Sequence, residues 1–311
     1  MPSIIEASSL VKYYRNEKKP AVDDLNLTVT EGKLFTLLGR NGAGKTTFLR
    51  IATTQLQQSS GSVSVFGLDV LRDAREIRRR IAVAPQEAKP LWSLNPRDHV
   101  ILALMMRGEG YSASSAKADI VLGKLDLFEF RKVHSEDLSG GLRQRILIAM
   151  TIACEADILF LDEPTIGLDP LGRRKVWNEL TRLKKDGKTI VLTTHYMDEA
   201  EALSDELVIL DKGKALVKGT PYDVRAGHIK SRLRVDVTSG FTPSELEPYG
   251  KVTTAGNLAR VFVEEKAAEE ISKEAVKRRA TISISPVTLD DVFVDIVGGS
   301  IEEDEEVVSH E

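Results

Sequence analysis

The sequence predicts an α/β fold with a helical subdomain inserted into it and a smaller α+β domain after it. Three observations lead there. Before Arg225, four near-continuous apolar and β-branched runs, at residues 34–38, 81–84, 158–161 and 189–194, alternate with helical stretches. Such runs mark strands buried on both faces of a largely parallel sheet. Between Glu87 and Cys154 the pattern is helical with few strand signals. Beyond Arg225 the order becomes strand-helix-strand-strand-helix-strand, which reads as a small ferredoxin-like domain. The expected divisions are residues 1–225 (helical subdomain about 87–154), 226–300 and a tail at 301–311.

Each element has a local reason. Lys45 to Ile51 reads as a helix entered from a glycine-rich loop, and Leu142 to Cys154 as another, with Ser139 as its N-cap. In the last part, Leu233–Thr238 alternates like a strand, Ser244–Tyr249 looks helical, and short strands follow at 252–254 and 260–263. A helix over 267–279 and a strand over 281–285 complete the order. Leu289, Val292, Phe293 and Ile296 then lie on one face of an amphipathic helix, placed to pack on the small domain. The acidic run Glu302 to Glu306 reads as a solvated, disordered tail.

Composition bounds the function. At 311 residues, 42% hydrophobic and 29% charged, the chain can bury one large core and a small one. A net charge of −4 gives no general electrostatic reason to bind nucleic acid, and none is expected. Cys154 is the single cysteine, which excludes an intrachain disulfide or a cysteine-based metal site; its neighbours Ile152, Ala153 and Ala156 suggest a buried small residue. The most apolar run, Val100 to Met106, falls far short of the roughly 20 residues a membrane helix needs. With neither a basic leader nor a cleavable apolar core at Met1–Glu6, the chain reads as cytoplasmic, and any membrane role must come through a partner.

Three segments point to phosphate chemistry. Gly39-Arg40-Asn41-Gly42-Ala43-Gly44-Lys45-Thr46, followed by Thr47, lies between a predicted strand and a predicted helix, the context that makes a P-loop credible. Its glycines let backbone N–H groups curl around phosphate, Lys45 reaches the outer phosphates, and the Thr46 hydroxyl is a ligand for Mg²⁺. The strand at 158–161 ends in Asp162-Glu163 at the sheet edge where α/β folds bind ligands. Asp162 is placed to hold Mg²⁺ directly or through water, and Glu163 to act as general base for an attacking water. Ser139-Gly140-Gly141 forms a second helix start suited to a γ-phosphate. One nucleotide rarely needs two such cradles from one chain, which points to a dimer with shared sites.

With these motifs in this order, the chain resembles the ATP-binding subunit of the ABC transporter family over essentially all of Ile4 to Asp223. The resemblance implies ATP and Mg²⁺ as ligands and makes Gly39–Thr46 the Walker A loop, Ile158–Glu163 the Walker B strand and Leu138–Gln144 the signature sequence. It further matches Tyr14 to the aromatic that stacks on adenine, with Tyr13 as a competing candidate. Gln86 matches the Q-loop glutamine, with access to Mg²⁺ or the attacking water; Gly167-Leu168-Asp169 matches the D-loop; His195 matches the switch histidine. The family's mechanism sandwiches each ATP between one chain's Walker motifs and the other chain's signature helix, in a head-to-tail pair that is here expected to be a homodimer. Separate polytopic permease subunits form the path, which places the chain peripherally on the cytoplasmic face of the membrane, with Leu91, Trp92, Leu94 and Pro96 as candidate docking residues or ordinary core.

Some positions depart from the commonest pattern. Arg40 stands where proline or serine is frequent, Leu142 where methionine or glutamine is usual, and Asn95-Pro96-Arg97-Asp98 replaces a more usual Thr-Val-x-Glu; none removes a phosphate or metal ligand. The ending Pro286 to Asp295 resembles that of export ATPases of the daunorubicin-resistance type, which implies export. A soluble ABC ATPase acting on ribosomes or nucleic acid is the alternative. The former commonly joins two cassettes and the latter inserts a long coiled coil, and neither feature occurs here.

Overall fold

The continuous apolar runs become the middle of a six-stranded sheet in the computed structural model, which describes residues 2–229 and 231–298. Its strand order is Lys214–Gly219, Glu206–Asp211, Leu34–Leu38, Thr189–Thr194, Ile158–Asp162, Ile81–Ala84, and the strands from Glu206–Asp211 onward run parallel. Both faces are covered. Leu159, Leu161, Ile190 and Leu192 face one core, shared with helices; Phe35, Ile158, Phe160 and Val191 face another. Strands buried on two sides have no need of polar alternation, so they read as unbroken apolar runs.

The second core is closed by the helix Lys45–Ala52 and by a four-stranded antiparallel sheet of order Val22–Thr30, Ser3–Lys12, Ser60–Val65, Leu68–Asp69. The first core is closed by Pro96–Met106, Tyr111–Lys124, Gly140–Ala153 and Pro170–Lys185. Pro96 occupies the first turn of its helix, where its missing N–H costs nothing, and the Asn95 side chain accepts from Asp98 N–H at 2.9 Å. Cys154 at the end of Gly140–Ala153 is only partly buried; its thiol donates to Met150 O at 3.2 Å, and burial pushes its pKa up. No helix among the described residues is long and apolar enough to cross a membrane.

Inside the first helix of this group, His99 is buried at 2% exposure. Its Nε2 accepts from Leu91 N–H at 2.8 Å and its Nδ1 lies 2.9 Å from Asn95 O. The pair of contacts assigns the neutral tautomer with the proton on Nδ1. Burial pushes the imidazole below its ordinary value, so the unfolded chain takes up a proton that the folded chain refuses. Stability should therefore fall as pH drops below about 6.5, toward the lower folded value. A thermal-unfolding series across that range should show a shallower acid slope in His99→Gln than in the unsubstituted chain. Equal slopes would mean that His99 is not held neutral.

The second unit begins at Gly219. Its sheet has the order Val252–Ala255, Leu258–Val263, Leu233–Ser239, Thr281–Pro286, with every neighbouring pair antiparallel. Ala268 and Ile271 of the helix Glu265–Arg278 and Leu246 of Pro243–Leu246 cover Val235, Val237 and Val261. The helix Leu289–Val297 starts with a capping box between Thr288 and Asp291, and it buries Leu289, Val292 and Phe293. Asp291 is fully enclosed and receives Arg234 at 3.0 Å and Arg260 at 3.1 Å, so charge as well as apolar contact anchors this helix start. Pro221–His228 packs on Leu289–Val297, which is why the division falls at Lys218/Gly219 and not at Arg225. The acidic tail expected at 301–311 lies outside the described residues.

Candidate functional site

Parallel register brings three strand ends to one edge. Leu38 faces Thr194, and Asp162 faces Thr193, so the loops leaving these strands converge at their C-terminal ends.

The loop 39–44 depends on absent side chains. A Cβ on Gly39 would lie 2.4 Å from Leu210 O, and one on Gly44, which has φ +101°, would lie 2.5 Å from Ala21 O. Gly44 also precedes the helix Lys45–Ala52 without giving it a side-chain cap. The first-turn N–H groups are therefore left for a ligand, and the helix dipole favours an anion there.

Lys45 is 5% exposed, and its ammonium donates to Gly39 O at 2.7 Å and Arg40 O at 3.1 Å. It also pairs with Glu163 Oε1 at 3.2 Å. Glu163, equally buried, has φ +49°, a left-handed conformation that costs a non-glycine residue about 1 kcal/mol or more. Its N–H is held by Thr193 O at 3.1 Å and Thr193 Oγ1 at 3.0 Å. Turned this way, its other carboxylate oxygen meets His195 Nδ1 at 2.5 Å. Asp162 accepts from Thr46 Oγ1 at 3.1 Å and from Thr193 Oγ1. Burial pushes its carboxyl above the usual range, against the pull of these two hydroxyls.

Lys45, Glu163 and His195 are thus joined by direct contacts, as are Thr46 and Asp162, and Thr193 links the two sets. Tyr14 reaches the same helix, with its hydroxyl 3.2 Å from Thr47 Oγ1, while Tyr13 uses its backbone N–H on Ser59 Oγ. Of the two aromatics, Tyr14 is the one tied to the loop's helix. Gln86 is exposed just beyond the strand Ile81–Ala84.

Ser139, Gly140 and Gly141 stand elsewhere, at the start of Gly140–Ala153. Ser139 is the N-cap, accepting from Leu142 N–H at 3.3 Å, and Ser139 and Gly140 are exposed. A Cβ on Gly141 would sit 3.5 Å from Leu168 Cδ2, at ordinary contact. Asp169 caps Pro170–Lys185 through Gly172 N–H at 2.5 Å. Trp92 is 61% exposed and Leu91 56%, so neither is core, whereas Pro96 is buried. Arg143 lies 5.6 Å from the Trp92 ring.

Two features escaped sequence reasoning. Thr193 bridges Asp162 and Glu163; a hydroxyl near the end of a fully buried strand was its only signal. Glu199 is fully buried and accepts from Thr165 and Trp177. In sequence it looks like any acidic residue in a helix's first turn.

The chain is similar to known proteins in sequence and in fold. A family model described as ABC transporter matches residues 22–166. The chain is 35% identical over 243 residues to the daunorubicin/doxorubicin resistance ATP-binding protein DrrA of Streptomyces peucetius, covering 78% of this chain and 73% of that one. It is 34% identical over 312 residues to the Nod factor export ATP-binding protein I of Cupriavidus metallidurans, covering 96% of this chain and 98% of the relative. Among solved structures it resembles an ATP-binding cassette in a dimeric post-hydrolysis state bound to ADP and Pi, with a TM-score of 0.65, 25% identity and coverage of 70% of this chain and 98% of that one.

Proposed function

This chain belongs to the ABC transporter family, and we propose that it binds and hydrolyses ATP to power an exporter whose membrane path is built by separate permease subunits. The observation that carries this is the convergence of Lys45, Thr46, Asp162, Glu163 and His195 at one sheet edge, beside a loop in which Gly39 and Gly44 have no room for a Cβ. The Nod factor export relative aligns over nearly all of its length, and the daunorubicin/doxorubicin resistance relative over most of its own.

In this reading the N–H groups of residues 39–47 wrap the phosphates, and Lys45 leaves Glu163 to meet them. Thr46 Oγ1 and Asp162 Oδ1, 3.1 Å apart, are two hard oxygen donors that suit Mg²⁺, which takes few protein ligands beside phosphate oxygens and water. When bound there, the ion would neutralise phosphate charge. Gln86, on the loop after the adjacent strand, would hold that ion or orient the attacking water. Glu163 takes that water's proton, His195 holds Glu163 and reaches the γ-phosphate, and Tyr14 stacks on adenine. Ser139, Gly140 and Gly141 face the γ-phosphate of a second copy, and Asp169 lies at the same interface. The dimeric relative supports this pairing. ATP binding then closes the pair, and loss of the γ-phosphate contact releases it.

The exposed Leu91 and Trp92 suit a permease contact on the cytoplasmic face of the membrane. The strand order of the second unit supports reading it as a ferredoxin-like accessory domain. A tagged copy recovered from its native cells should bring down a polytopic membrane protein and show Mg²⁺-dependent ATPase activity. Stable recovery with ribosomes, and with no membrane protein, would overturn the transporter reading.

A further inference from the structure

Glu199 lies on the short helix Met197–Leu203 that follows His195, and it is fully buried. Its Oε1 accepts from two groups on other segments, Thr165 Oγ1 at 2.8 Å and Trp177 Nε1 at 2.9 Å. Thr165 sits between Glu163 and Asp169; Trp177 is on Pro170–Lys185, the helix that Asp169 caps. Other contacts span the same gap. The Arg173 guanidinium lies 4.5 Å from the Tyr196 ring and pairs with Asp198 at 3.1 Å. Asp198 is 62% exposed, however, and ion pairs at the surface hold little. The Thr165 bond to Glu199 is buried and the Trp177 bond partly so, and a donor that loses its acceptor away from water is costly.

We propose that Glu199 is a positioning residue for ATP hydrolysis, fastening the segment that carries Glu163 and Asp169 to the segment that carries His195. This rests on the ATPase reading above. The base and the histidine already touch through Glu163 Oε2 and His195 Nδ1. That contact keeps its geometry only if the loops on which the two residues sit do not slide, and Glu199 joins those loops behind the site. Through Thr165 it also joins both to the Asp169 segment, so a partner seated on Asp169 bears on the catalytic pair.

What the two donors require is the acceptor Oε1. Glu199 Oε2 is buried with no hydrogen-bond partner, and burial pushes the carboxyl above its usual range. An amide in place of the acid keeps the acceptor; alanine removes it.

The test is steady-state ATPase kinetics and equilibrium ATP binding on the full chain. Glu199→Ala should lower kcat by about tenfold or more with KM and ATP affinity within about twofold, and Glu199→Gln should stay within about threefold of the unsubstituted chain. Thr165→Val, which keeps shape and removes one donor, should lower kcat severalfold, and that loss should vanish in a Glu199→Ala background. Should Glu199→Ala not fold, Thr165→Val and Trp177→Phe decide in its place: a kcat loss at unchanged KM supports the proposal, and kcat within about twofold of wild type overturns it. Glu199→Gln as slow as Glu199→Ala, or additive losses with Thr165→Val, would also overturn it. The two levels separate cleanly. Absence of ATP turnover in the unsubstituted chain removes the ATPase reading itself, whereas turnover lost in Glu163→Gln but untouched by the Glu199 and Thr165 variants removes only the positioning role.

Discussion

Glu163→Gln should abolish ATP turnover, with kcat falling by roughly 10²–10⁴, the span a general base contributes, while ATP binding is retained. The carboxylate is 5% exposed, lies 3.2 Å from the Lys45 ammonium and contacts His195 through its second oxygen. The amide keeps the size and the hydrogen-bonding reach but cannot accept a proton from water. Binding should survive for a separate reason. Glu163 pairs with Lys45, the ammonium expected to meet phosphate, so removing its charge ends a competition for that ammonium while Gly39 O and Arg40 O still place it. ATP should therefore bind at least as tightly and should hold the dimer closed. Equilibrium binding with single-turnover hydrolysis checks both halves; turnover within about tenfold of wild type would assign the base elsewhere.

Gly141→Leu should have an effect of similar size through a different step. Space for a Cβ exists, since the nearest atoms are Leu168 Cδ2 at 3.5 Å and Gly167 O at 3.6 Å. The helix can therefore keep its place, and the rest of the side chain has to lie over the helix start that Ser139 caps. There it covers the N–H groups suited to a γ-phosphate, so neither site of a Gly141→Leu pair can be bridged by ATP. ATP binding to the single chain should remain within about twofold, and ATP-dependent dimerisation and turnover should be lost, the latter by about a hundredfold or more. Light scattering with and without ATP, paired with binding, separates these outcomes. An equal loss of monomer binding would put Gly141 in its own chain's nucleotide site.

The parts of this molecule that were legible in sequence are those where a local pattern and a tertiary demand coincide. Leu34–Leu38, Ile158–Asp162 and Thr189–Thr194 are buried on both faces, so burial writes itself as an unbroken apolar run. The glycines of 39–44 are legible because neither Gly39 nor Gly44 has room for a Cβ. The antiparallel sheet was not singled out. Its strand Ser3–Lys12 breaks alternation with register shifts on both sides of Leu10, and Ser9 takes a positive φ, so no clean period of two survives. Glu199 was invisible for another reason: its burial comes from Thr165 and Trp177, which approach from distant parts of the chain. The division expected near Arg225 falls at Lys218/Gly219, because only the packing of Pro221–His228 on Leu289–Val297 reveals to which unit that helix belongs.

The central claim is that Ser139 and Gly141 complete a partner's nucleotide site, and complementation tests it most directly. Lys45→Ala and Gly141→Leu chains, each inactive alone, are mixed and assayed for ATPase activity. If the site is shared, a mixed dimer joins the intact Walker loop of one chain to the intact signature of the other at one of its two sites. Random pairing should then restore about a quarter of wild-type turnover. If each chain's signature serves its own Walker loop, both sites of the mixed dimer are defective, and a mixture as inactive as its components would contradict the account.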